Sequence, residues 1–158
     1  MAKRELSQLE SDLQGFAGLA LECLAHDLVG ELQKEGEVPE WDGYFINAWQ
    51  VNLGKEEVPA DRQKSTDFQG DHPVTIQQIP IPPQPLKPVG YRIGNRMEYA
   101  NIAMDLEPDP EGQYRGDRAG STAPKDWFTT LMNGGKLEAI TNGAVGRAAQ
   151  IIEAGYGS

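Results

Sequence analysis

The chain has 158 residues, of which 39% are hydrophobic, and a formal charge of -10. That length sustains one hydrophobic core and is short for two, so a single domain over 1–158 is expected. The negative balance disfavours open binding to a phosphate backbone, which needs a basic footprint, and the lone Cys23 excludes an intramolecular disulfide.

The first expected element runs from about Leu6 to Leu32. Leu6, Leu9, Leu13, Phe16 and Ala20 recur at steps of three and four, and Leu24, Leu28 and Leu32 continue a slightly rotated stripe. The spacing predicts one long helix or two helical pieces, with Gly36 and Pro39 as the stop. The opening MAKRELSQLES lacks the apolar stretch of a secretory signal, and no run of 18 apolar residues occurs. A product of a reducing compartment with no membrane partner is therefore expected.

Between Trp41 and Gly54 two periods overlap. Trp41, Phe45 and Ala48 fit a helical turn, whereas Phe45, Trp49, Val51 and Leu53 fit a strand, so a short turn leading into a strand is expected. Polar residues follow from Gly54 to Pro73, and Val74 to Ile79 has strand composition. Five prolines then occupy the nine positions Pro80–Pro88. Proline donates nothing to a ladder, so the segment is read as an extended arm or stiff crossover. Ile81 and Leu86 suggest that it is laid on a surface. Pro80, Ile81, Pro82, Pro83, Pro85 and Leu86 form the candidate partner-contact arm within an extended segment 54–88, the alternative being a loop packed on its own subunit.

Val89–Ile93 and Met97–Met104 are read as two strands around a Gly94-Asn95 turn. Residues 107–122 form another Pro/Gly-rich loop. A helix starts near Pro124 and Asp126 with Trp127, Phe128 and Leu131 as apolar anchors, and Gly134-Gly135 breaks it. A last helix from about Lys136 to Glu153 places Leu137, Ile140, Ala144, Ala148 and Ile151 on one face before Gly155 and Gly157. The fold class expected is α+β, a small, mostly antiparallel sheet packed by N- and C-terminal helices.

Catalytic and metal-binding patterns are weak. His26 and His72 are the two histidines, and Cys23-x-x-His26 supplies two ligands where a closed zinc site takes four. Gly134-Gly135-Lys136 lacks the remainder of a phosphate loop, and Leu137 stands where its hydroxyl belongs. Asp105, Glu107, Asp109 and Glu111 lack the spacing of a calcium loop. No catalytic residue, metal or cofactor is assigned, and the chain is read as a protein that assembles with other chains and not as an enzyme.

The charge is unevenly spread. Residues 1–60 hold 12 Asp/Glu against 4 Lys/Arg, and residues 61–158 hold 12 against 10. An acidic face of this kind orients neighbours or weakens adhesion of DNA passing over it; Glu5, Glu10, Glu22 and Glu31 are candidates for such a lining. The plainer reading is an acidic surface that aids solubility.

The run Val38 to Gly54, with Pro39, Trp41, Gly43, Phe45 and Trp49, resembles the segment after the first helix in tailed-phage neck and tail-completion proteins of the HK97 gp10-like family. Asn47-Ala48-Trp49-Gln50-Val51 is similar to that family's entry into a strand, although Tyr44 and Phe45 replace the basic residues that often follow the glycine. Ile93 to Ala100, with Tyr99 and Ala100, looks like the family's strand-turn-strand passage. Ala123-Pro124 leading into Trp127 is similar to the start of its late helix. The resemblance implies a structural virion protein at the head–tail junction, synthesised and assembled in the host cytoplasm. It also implies a homo-oligomeric ring that contacts a portal, connector or adaptor on one side and a tail terminator or tail tube on the other, with DNA passing through without sequence-specific binding. A tail terminator or head–tail adaptor is the nearest alternative, and a small adaptor or regulatory binding protein outside the virion is the other.

Overall fold

The structure, a computed structural model, describes residues 2–34, 44–58, 75–97, 100–104 and 126–156. Helix α1 is a single element over Ala2–Leu32, with Glu5 in its first turn, where a carboxylate complements the helix dipole. It ends at Leu32, before the expected stop at Gly36 and Pro39. A four-residue turn of helix, α2 (Tyr44–Asn47), leads directly into β1 (Trp49–Leu53), as the overlapping periods predict. Strand β2 (Tyr91–Asn95) pairs with it antiparallel, Val51 opposite Ile93. The short α3 (Ala100–Ala103) follows, then α4 (Trp127–Asn133) and α5 (Lys136–Tyr156). The architecture is α+β, a two-stranded antiparallel sheet packed by the N- and C-terminal helices.

Two expected strands are corrected. Gly94 and Asn95 lie within β2 and not in a hairpin turn, and Ala100–Ala103 is helical. A Cβ on Gly94 would sit 3.0 Å from Val58, so this glycine serves a close approach across the strand. Asn95 ends β2 with its side chain: Nδ2 donates to the Phe45 carbonyl at 2.8 Å, and Oδ1 accepts from the Met97 amide at 3.0 Å. The second correction is Thr75–Ile79, which carries strand composition but joins no ladder. The expected stop at Gly155 is also passed, since α5 runs through it to Tyr156.

The core joins Val29 and Leu32 of α1 to Phe45, Trp49, Val51, Met97, Ala100 and Met104, and to Trp127 and Leu131 of α4. Aromatic edges link three elements: Phe45 meets Trp49 at 5.7 Å and Trp127 at 6.2 Å between ring centroids, both nearly perpendicular. That geometry sets the positive edge of one ring against the negative face of another. Helix α5 lies antiparallel to α1. Lys136, at its start, pairs with Glu31 at 2.7 Å, and Arg147, further along, binds Asp27 and the Cys23 carbonyl. Ala144 and Ala148 are fully buried, as expected for that face, whereas Ile151 is exposed. Small side chains at the fully buried positions are what allow two helices to approach closely.

Candidate functional site

The proline-rich segment is docked on its own subunit by side-chain amides, which take the place of a ladder. Gln33, at the end of α1 and buried, donates its Nε2 to the carbonyls of Ile46 at 3.1 Å and Gln77 at 2.9 Å. Asn47 donates to the Thr75 carbonyl at 3.0 Å and accepts from the Gln77 amide at 2.8 Å, so its amide group stands in for one residue of a neighbouring strand. Further along, the Gln84 amide donates to Glu22 at 2.7 Å, fixing the segment to the middle of α1. The Gln84 side chain closes the following turn by accepting from the Val89 amide and donating to the Gly90 carbonyl. Gly90 has a left-handed φ of 77°, and its carbonyl also accepts from the Gly54 amide at 3.0 Å, extending the sheet's bonding by one step.

Tyr91 completes this clamp by donating its hydroxyl to the Pro82 carbonyl at 2.5 Å. Burial, and the nearby Glu22 charge, raise its pKa above the ordinary 10.0, while the bond to Gln84 opposes them. The hydroxyl thus stays protonated and remains a donor.

The candidate arm is accordingly divided. Ile79 is buried, Ile81 packs against the core, and Pro82 is half-buried, whereas Pro80, Pro83 and Pro85 are exposed and Leu86 is 90% exposed. Among the residues carrying the family resemblance, Phe45, Trp49, Ala100 and Trp127 all belong to the core cluster. They shape the subunit and do not present a site. Pro39, Trp41, Gly43, Tyr99 and Pro124 lie outside the described residues, as do the loop 107–122 and the acidic run Asp105 to Glu111.

The first half of α1 is the part of the surface that the spacing of its leucines does not place. Leu6, Leu9 and Leu13 fit the stripe of an amphipathic core helix, yet they are 66%, 55% and 59% exposed. The antiparallel pairing with α5 explains why. Arg147 meets Asp27 and Cys23, and the nine residues of α5 beyond it advance about 14 Å, to the level of Gly18 or before. About three to four turns of α1 therefore project past the end of α5. A signal was present in the length: a 31-residue helix spans about 46 Å, well beyond the roughly 30 Å of a small domain.

The projecting half forms one wall of an open groove whose apolar lining includes Leu6, Leu9, Leu13, Leu21 and Pro88, and which Glu10 and Gln14 also line. Contiguous exposed apolar patches, and not single exposed leucines, are the features of a surface that bear on interaction. Of the four carboxylates proposed to face passing DNA, Glu5 and Glu10 are exposed. Glu22 and Glu31 are engaged by Gln84 and Lys136.

His26 is exposed and Cys23 half-buried. Among the described residues no group of three or more His, Cys, Asp or Glu side chains is placed to hold a metal ion, and no helix is long and apolar enough to cross a membrane. No family model, curated protein sequence or solved structure matches the chain.

Proposed function

We propose that the chain is a structural subunit of a multi-protein assembly, the neck at the head–tail junction of a tailed bacteriophage, where a ring of copies joins the connector to the tail around a passage for DNA. The observation that carries the assembly role is the projecting half of α1, whose Leu6, Leu9 and Leu13 lie in water in the isolated subunit. With 55–66% of its surface still exposed, each leucine forgoes roughly 1–2 kcal/mol of the burial energy that a neighbouring chain would supply. The neck assignment draws on the family resemblance, whose described residues Phe45, Trp49, Ala100 and Trp127 build the joint between helices and sheet. Electron microscopy of purified particles, with subunits counted at the junction, tests the reading. The expected result is density for this chain as a ring between head and tail; a chain that never co-purifies with virions or neck proteins overturns it.

A further inference from the structure

We infer that the groove along the first half of α1 receives an amphipathic helix of a different protein, one whose apolar stripe is flanked by Lys and Arg. The inference rests on the assembly reading in requiring a partner chain, but not on the identity of the particle.

The helical form of the occupant follows from the walls. The described contacts of the groove are side chains of a helix and of Pro88, and a helix has its interior backbone groups already paired, so it offers no strand edge to add to. A segment that buries itself there must satisfy its own backbone bonds. From Leu6 to Leu21 the groove follows α1 for about 22 Å, or roughly four turns, and the ridge of leucines at three- and four-residue steps suits the side-chain spacing of a second helix.

The charge of the occupant follows from the flanks. Between Glu5 and Gln33 the chain carries Glu5, Glu10, Asp12, Glu22, Asp27 and Glu31 and no Lys or Arg. Beside the exposed leucines, Glu10 and Asp12 accept from the neutral amides of Gln14 and Gln8, which leave their charge uncompensated. Basic flanks on the partner meet these carboxylates favourably. A second copy of α1 would bring its own Glu5, Glu10 and Asp12 to the groove; Lys3 and Arg4 precede the stripe in the chain, and Lys87 adjoins Pro88. Like charges set face to face across an interface cost affinity, so self-pairing is the disfavoured occupant.

The test uses the full chain and two synthetic helical peptides sharing one leucine stripe, flanked by Lys/Arg in one and by Glu in the other, followed by fluorescence anisotropy. The Lys/Arg peptide is expected to bind at least tenfold more tightly than the Glu peptide, and to weaken at least tenfold with Leu9→Glu and as salt rises to 1 M. The double variant Glu10→Lys, Asp12→Lys is expected to reverse the preference. Both substitutions lie on the exposed projecting half, and circular dichroism checks that each variant keeps its helix content. Equal binding of the two peptides, no binding of either, or a dimer in sedimentation that Leu9→Glu abolishes overturns the inference. A particle that contains the chain while the peptides fail separates this failure from that of the assembly reading.

Discussion

The two halves of α1 carry the same kind of side chain into opposite environments. In the second half Ala25 is buried and Val29 and Leu32 join the core with the sheet, while in the first half Leu6, Leu9 and Leu13 stand in solvent on the same unbroken helix. An apolar periodicity of 3.6 therefore reports that a face is meant to be covered, without saying which chain covers it. The difference between the halves is a matter of neighbours: Glu22, Asp27 and Glu31 bind the proline-rich segment and α5, whereas Pro88 is the one described residue outside α1 that lines the groove with Leu6, Leu9 and Leu13.

Truncating one leucine from each half is the sharpest way to break this contrast. Leu32→Ala removes a buried side chain from the core and is expected to lower unfolding free energy by about 2–5 kcal/mol in chemical denaturation. Ala148→Leu, at the fully buried face of α5, probes what holds the second half in place. It is expected to cost about 1–3 kcal/mol by forcing α5 away from its neighbours. Gln33→Ala leaves the carbonyls of Ile46 and Gln77 without their donor and is expected to cost about 1–3 kcal/mol. Amide hydrogen exchange should then report loosening of the segment around Gln77 before the helix itself.

The proline-rich segment also links this region to pH. Tyr91 has a raised folded pKa, so the stability that its protonated hydroxyl contributes is fully present below the unfolded value near 10.0. It is lost as pH rises through the higher folded value. Thermal unfolding of the parent chain should weaken above pH 10 more steeply than that of Tyr91→Phe, in which the titrating group is gone. The smallest effect belongs to Leu9→Ala, expected within about 0.5 kcal/mol of the parent in the isolated subunit. A large loss there would show that the first half is already covered within one chain, and would erase the contrast.

Much of the chain's local structure was legible beforehand because local physics sets it. Leu137, Ile140, Ala144 and Ala148 mark α5 within a few residues of its bounds, and the switch of period between Phe45 and Trp49 marks the passage from α2 to β1. The misreadings share one cause. Gly94-Asn95 has the chemistry of a turn, but the partner of β2 lies some forty residues earlier, and its pairing carries the strand through that glycine. Thr75–Ile79 has the composition of a strand, but what meets it is the side chains of Gln33 and Asn47, whose amides bond it without a ladder. Of the proposed partner arm, composition correctly marks a segment laid on a surface. It does not reveal that Ile81 turns inward and Leu86 outward.

By itself the sequence determined the periodic elements, the exclusion of the proline run from any central strand, and the crowding of acidic charge into residues 1–60. Each of these depends on residues close in the chain: dihedral limits, missing donors and spacing along one helix. The tertiary structure alone decided which leucines of α1 are core and which are surface, because burial depends on where α5 ends when it is laid antiparallel beside α1. The same holds for the docking of the proline-rich segment, whose backbone partners come from Glu22, Gln33 and Asn47, far away in sequence and brought near by the packing of α1 and α2.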